Sequence, residues 1–437
     1  MIWLRVLLPG FLLAVIPWGA FSEMGRESLP SPLSLEQALA LADESHPDRE
    51  LADASLQLAI AERAGVEADD DLELGFSAAL SVVDPSPNAT DQSANDSWAR
   101  LGLSKRLYDF GRTERALAAA DAKQEGRTWR LLDVRQQRQL EVMGRFFDVL
   151  LADLEYARDN EAMSIAYVSL DRATNRSDMG QLSDIDLLEL EQRYQQSRLQ
   201  VQGSQNKQRI TRSLLAVSLN RPGDLPTELE RPKRGPGHQA EEIEPLIQQV
   251  LAGNPGLKAL RAEVKSVEQK LWATEAEDNP VIRGELAMAA YNRDLGGRNP
   301  LSAAVVLEVP LFTGNRVDAK KAAQRARLRE QRAKLAAHEL ELQQQVLEDW
   351  LELQRLQIRE QELTVTGDFR DLYLERSRAL YDLEVSTDLG DSMVQIADLH
   401  LQQAQNEFQV LLLSAKLKAL AGELLAADKI DKTISEE

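Results

Sequence analysis

Proline is missing from two tracts of more than a hundred residues each, one from 88 to 221 and the other from 311 to the last residue. Both tracts are rich in Ala, Leu, Gln, Glu and Arg, which lose little on entering a helix, and neither holds the ring that would break one. The chain is therefore expected to form very long helices, and to do so twice. Aromatic residues make up only 5% of it, too few for several large globular cores, so the composition points to coiled-coil packing.

Charge and cysteine content exclude several classes. A formal charge of −20 opposes nucleic acid, whose phosphates need clustered Lys and Arg. Without cysteine there is no disulfide framework, no thiolate metal site and no lipid carried on an N-terminal cysteine. His46, His238, His338 and His400 are scattered without ligand spacing, and neither a phosphate-binding loop nor a nucleophile–base arrangement is visible. No cofactor and no enzymatic activity are expected. Residues 1–22 carry Arg5, an apolar run over 6–18 and small residues at Ala20 and Ser22, the pattern of a secretory signal peptide; a membrane anchor is the alternative, but the run is short for a spanning helix. No other segment approaches eighteen apolar residues, so a mature chain that crosses a membrane would use strands.

A Pro/Gly-rich linker, 221–240, separates two repeats, 34–220 and 241–426, and a short tail follows at 427–437. Each repeat opens on an amphipathic stretch broken by a polar residue and proline, His46-Pro47 and Asn254-Pro255, and continues as a helix ending near Asp70 or Asp278. Two strand-like segments come next, 72–83 and 98–108 in the first repeat, 281–291 and 301–312 in the second; Val305, Leu307, Val309 and Leu311 would share one face. Trp98, Tyr108, Tyr291 and Phe312 at the strand ends suit an interfacial aromatic belt or ordinary packing.

A tight turn follows each second strand. Tyr108-Asp109-Phe110-Gly111-Arg112 aligns with Phe312-Thr313-Gly314-Asn315-Arg316 at an offset of 204 residues, with the glycine displaced by one position, so the two turns are expected to differ in geometry. Each opens a long helix. The first, over 113–177, places Leu140, Met143, Phe147, Leu150, Leu154 and Ala157 at spacings of three and four, a seam for interlocking helices. At 1.5 Å per residue it would be about 100 Å long. It ends at Asp178-Met179-Gly180-Gln181-Leu182-Ser183, where Gly180 suits a helix C-terminus and Ser183 caps a returning helix from Asp184 to about Leu219. The second repeat reads Asp382-Leu383-Glu384-Val385-Ser386-Thr387-Asp388 there, with Thr387 as cap, and Leu401, Ala404, Phe408, Leu411 and Ala415 form the seam of its returning helix.

Four strands in a bilayer leave two edges of unpaired backbone, so several chains must close them. Two chains give eight strands and a filled interior; three give twelve and room for a channel.

The order helix, strand, strand, very long helix, turn, long helix, written twice behind a signal peptide, resembles the TolC-type outer-membrane factor family. Leu107-Tyr108-Asp109-Phe110-Gly111-Arg112 is similar to that family's strand-to-helix junction, and Gly180-Gln181-Leu182-Ser183 to its hairpin tip. The resemblance implies a mainly α fold with short β: long coiled-coil hairpins, and four strands per chain contributing to a trimeric, twelve-stranded transmembrane barrel continuous with a periplasmic α-barrel. It implies a homotrimer in outer-membrane lipid, a passive duct for efflux or type I secretion that docks a periplasmic adaptor and an inner-membrane pump or ABC transporter. The adaptor contact falls on Gly180, Ser183, Glu384 and Thr387. The junctions fall on Tyr108, Asp109, Gly111 and Arg112, and on Phe312, Gly314 and Arg316. Carboxylates at the tips, Asp184, Asp186, Asp382, Asp388 and Asp391, are candidates for an entrance ring, Asp388 and Asp391 foremost; threefold repetition would make any inward one attract cations. Helix N-terminal carboxylates favoured by the dipole are the plainer reading of Asp184 and Asp388. A soluble periplasmic coiled-coil adaptor or scaffold is the alternative function; it should have one hairpin flanked by β-rich domains.

Overall fold

A computed structural model describes residues 29–43, 46–232, 242–295, 298–383 and 389–425. The expected signal peptide, the core of the linker, Glu384, Thr387, Asp388 and the tail lie outside the described residues.

The first repeat comprises α1 (Leu35–Ala42), α2 (Pro47–Ala68), β1 (Glu73–Ala79), β2 (Trp98–Tyr108), α3 (Arg112–Asp178) and α4 (Asp184–Ser218). The second comprises α5 (Ile243–Gly253), α6 (Pro255–Glu275) with a 3-10 turn (Ala276–Asp278), β3 (Val281–Tyr291), β4 (Leu301–Glu308), α7 (Arg316–Asp382) and α8 (Leu389–Leu420). Local chemistry sets the starts. Ser34 and Gln37 cap α1 reciprocally. Pro47 and Pro255 stand in the first turns of α2 and α6, where a missing N–H costs nothing; the Asn254 side chain accepts from the Leu257 N–H at 2.9 Å. With no proline to stop them, α3 and α7 each run 67 residues, about 100 Å.

The four strands form one antiparallel sheet in the order β1-β2-β3-β4. Beyond it α2, α3, α6 and α7 stand side by side in that order, and towards the far end the row is α4, α3, α8, α7. The largest core lies where α3 meets α4 and α8: Val142, Phe146, Phe147, Val149, Leu215, Ala404 and Phe408. The Phe147 and Phe408 rings stack at 4.7 Å, which joins the two repeats. A second cluster joins Leu246 and Val250 of α5 to Val346 and Leu353 of α7 and Leu417 of α8.

Three details depart from the sequence reading. Strands β1 and β4 stop earlier than residues 83 and 312, because each can run only as far as its partner: Ala79 faces Trp98, the first residue of β2, and Glu308 faces Val281, which Pro280 precedes. Only a single bridge, Val82 to Asn95, prolongs the first hairpin. Val309 and Leu311 thus fall outside the strand that was to carry them. Of the expected α3 seam Phe147 lies in the core and Met143, Leu150 and Leu154 on its flank, while Val142, Phe146 and Val149 are buried as well, because α3 packs against helices on two sides. The two strand-to-helix turns, finally, share one backbone geometry.

Candidate channel wall and entrance

At the first turn Phe110 and Gly111 have φ of 55° and 88°; at the second, Gly314 and Asn315 have 63° and 62°. Each turn needs two successive left-handed residues. Glycine fits either position and Asn tolerates the conformation, so displacing the glycine leaves the path unchanged. Phe110 accepts the strain, and its ring lies edge-on to Tyr108 at 4.6 Å. In the first turn Asp109 Oδ2 accepts from the Thr113 N–H at 2.8 Å and from Thr113 Oγ1 at 2.5 Å, while Arg106 Nη1 donates to that hydroxyl at 2.7 Å. Burial pushes the Asp109 carboxyl up, but the Thr113 hydrogen bonds and the Arg106 guanidinium outweigh it and leave the group below its ordinary value. Val317 stands where Thr113 does and is buried, so the second turn has no such cap. Arg112 and Arg316 are the first residues of α3 and α7, and Phe312 is exposed.

Strand pairing sorts the sheet into two unlike faces. Cross-strand rows such as Leu74, Leu103, Leu286 and Ala303, or Phe76, Leu101, Met288 and Leu301, lie on one side. Glu73, Arg100, Arg106, Arg283, Glu285 and Glu308 lie on the other, among Gly75, Ala287, Ala289 and Ser302. The apolar side is uncovered: Phe76 is 73% exposed and Leu286 50%. Such alternation, greasy on one side and charged or small on the other, is the pattern of a strand with lipid on one face and water on the other. Trp98 pairs with Tyr291 and shares the polar side with Arg100, so these two do not join an aromatic belt on the apolar side, whereas Tyr108 falls beyond a bulge. This parity is legible in the sequence once strands are paired.

At the end opposite Trp98 the strands give way to α3 and α7; at the Trp98 end two loops are tied together. Arg298 donates to both oxygens of Asp96, and its guanidinium holds that carboxyl below the ordinary range. Arg293 reaches the Asp91 carbonyl at 2.7 Å.

About 100 Å of helix separates the junctions from the hairpin tip. Gly180 (φ 70°) donates to the Ser177 carbonyl and Gln181 to the Arg176 carbonyl, a Schellman ending. Ser183 Oγ accepts from the Asp186 N–H at 3.2 Å and donates to Asp186 Oδ2 at 2.7 Å. Asp186 is thus engaged in the cap, and Asp184 lies exposed in the same first turn. Space beside Gly180 is open, and Met179, Ile185 and Leu188 are exposed around it. Asp382 ends α7 and Asp391 lies in the first turn of α8, both exposed. The two hairpin ends meet: Arg172 donates to the Tyr381 hydroxyl at 3.2 Å, and a Cβ on Gly390 would stand 2.6 Å from Ile165. Within the second hairpin Ser377 and Ser392 are buried and bond at 3.0 Å. These contacts had no signal in sequence, since each joins residues on different helices.

Two helices present apolar residues to solvent at the margins of the rows: Ile185, Leu188, Leu199 and Ile210 on α4, and Leu340, Ile358, Val365 and Leu372 on α7. Among the described residues no helix is long and apolar enough to cross a membrane, and no group of His, Asp and Glu is placed to hold a metal.

Rows of long helices carried under a sheet with one apolar face form a fold that solved outer-membrane channels share. Solved structures with this fold include the CmeC outer membrane channel of Campylobacter jejuni (TM-score 0.80, 12% identity, 99% of this chain and 97% of that one). They also include the outer membrane protein VceC of Vibrio cholerae (0.72, 17%, 90% and 97%), and the MtrE outer membrane channel of Neisseria gonorrhoeae in its open state (0.66, 17%, 89% and 89%). At these identities the likeness is one of fold. No curated protein matches the chain. Residues 246–423, most of the second repeat, match the model of the family described as outer membrane efflux protein.

Proposed function

We propose that three copies of this chain close into a passive duct through the outer membrane and into the periplasm, serving as the exit channel of a tripartite efflux or secretion system. One observation carries the reading: every layer of the chain is open at the same two margins. The sheet ends at β1 and β4, the upper helix row at α2 and α7, the lower row at α4 and α7. One margin always belongs to the first repeat (34–220) and the other to the second (241–426), so one rotation would pair β1 with β4, and α2 and α4 with α7, between neighbours. Such head-to-tail contacts either close into rings or run on as filaments, and a barrel must close. Three chains supply twelve strands, enough for an aqueous interior.

In that assembly the apolar sheet face meets lipid and the face with Arg100, Arg106 and Glu285 lines the pore. The periplasmic adaptor and the inner-membrane pump or ABC transporter supply energy, with Gly180 and Ser183, and Glu384 and Thr387, as the adaptor contact. Open space beside Gly180, flanked by exposed Ile185 and Leu188, suits close approach of a partner helix. Asp382, Asp388 and Asp391 are the entrance carboxylates favoured over Asp184 and Asp186, since Asp186 already serves the Ser183 cap. The reading has no chemical step. A soluble adaptor is disfavoured by two hairpins and an uncovered apolar sheet face in one chain.

Single-channel recording in planar bilayers tests this reading. Wild-type protein is expected to conduct with a preference for cations, and Asp388→Asn with Asp391→Asn to reduce that preference. Unchanged selectivity would remove the entrance role; absence of conductance in either orientation and at any adaptor level would remove the duct.

A further inference from the structure

We infer that the apolar face of the sheet holds a phospholipid, one acyl chain lying in a groove over Gly284 and the phosphate meeting Lys105. This rests on the barrel reading, which turns that face towards lipid. Every paired position on the face is apolar or small except Lys105 and, past the bulge, Tyr108. The row beneath Leu103, Leu286 and Ala303 consists of Lys105, Gly284 and Val305. Gly284 has no side chain, so Leu107, from the bulge, packs down onto the row there, its Cδ1 3.4 Å from where a Cβ would stand. The result is an outward-opening groove of about 470 Å³, walled by Leu103, Leu107, Leu286 and Val305, large enough for one acyl chain.

Lys105 stands at its rim, exposed, and among the described residues it has no carboxylate partner. A charge on a lipid-facing strand is costly at mid-bilayer and nearly free at the interface. Three residues separate Lys105 from the helix end of β2 at Tyr108, roughly 10 Å along the strand and about 7 Å in depth for a strand tilted by about 45°. The ammonium therefore sits at the headgroups of the periplasmic leaflet, where lipid phosphates are the abundant anions. A cation at headgroup depth, and a groove that runs from its own row to Leu103 and Leu286 one row deeper, are complementary to the phosphate and the upper acyl chain of one lipid.

The test is native mass spectrometry of the full-length assembly in detergent, titrated with dioleoylphosphatidylglycerol. Wild type is expected to retain about one lipid per chain; Lys105→Gln should weaken retention roughly five-fold, Lys105→Arg should preserve it, and Gly284→Val, which crowds Leu107 out into the groove, should also reduce it. Inorganic phosphate should not compete. Equal retention by wild type, Lys105→Gln and Gly284→Val in an intact oligomer would mean an unselective lipid belt and overturn this inference alone, and displacement by inorganic phosphate would overturn it in favour of a free-anion site. A chain that purifies without detergent as single copies would overturn the barrel reading and this inference together.

Discussion

Single residues set the places where the chain changes direction. Gly111 and Gly314 have open space around them, so replacing either with alanine adds no clash and only forces a side chain into a left-handed backbone. Each substitution is expected to lower stability by about 1 kcal/mol, read as a shift in denaturant midpoint; no change would mean that the turn relaxes into another path. Asp133 of α3 offers a second test. It donates nothing when ionised, accepts from Arg130 at 2.9 Å and Gln137 at 3.1 Å, and burial nonetheless raises its carboxyl above the ordinary value, against the pull of Arg130 and His338. A raised acid binds its proton more tightly in the folded state, so its contribution is fully present below the unfolded value of about 3.9 and declines as pH rises through the folded one. Asp133→Asn should therefore raise the melting temperature at about pH 7 and leave it nearly unchanged near pH 4. A variant less stable near neutrality would show that the Arg130 pair outweighs burial.

Among elements, the sheet gives the sharpest contrast because adjacent residues on β3 face opposite solvents. Arginine at Leu286, on the apolar face in mid-strand, is expected to cost about 2–4 kcal/mol in the bilayer and to block assembly. Arginine at Ala287, on the polar face, should assemble and narrow the conducting path. Heat-modifiable migration on gels and conductance distinguish the two; equal tolerance would mean the faces are misassigned. The same elements divide what sequence discloses from what it does not. Helices α3 and α7 were legible because proline absence and capping residues are local, and their bounds fall within a residue of the expected ones for α3. The ends of β1 and β4 were not, because partner strands fix them. Nor was the common geometry of the two turns, where a displaced glycine hides equivalent left-handed pairs. Arg172 to Tyr381 and Ser377 to Ser392 become neighbours only after helices pack.

At the scale of the molecule, a lone chain is an incomplete wall. It leaves backbone edges at β1 and β4, and apolar stripes on α4 and α7, which in the proposed assembly meet the opposite margin of an identical copy. The absence of cysteine makes the closure directly measurable. A chain carrying Ser77→Cys in β1 and, in turn, Ser302→Cys, Ala304→Cys or Val306→Cys in β4 places both thiols on the polar face at opposite edges. Oxidised in outer membranes and run on a denaturing gel, at least one such pair should give covalent species of two and three chains, with the series ending at three. Single chains at every pairing, or a series that ends at two, would contradict the closed three-chain tube.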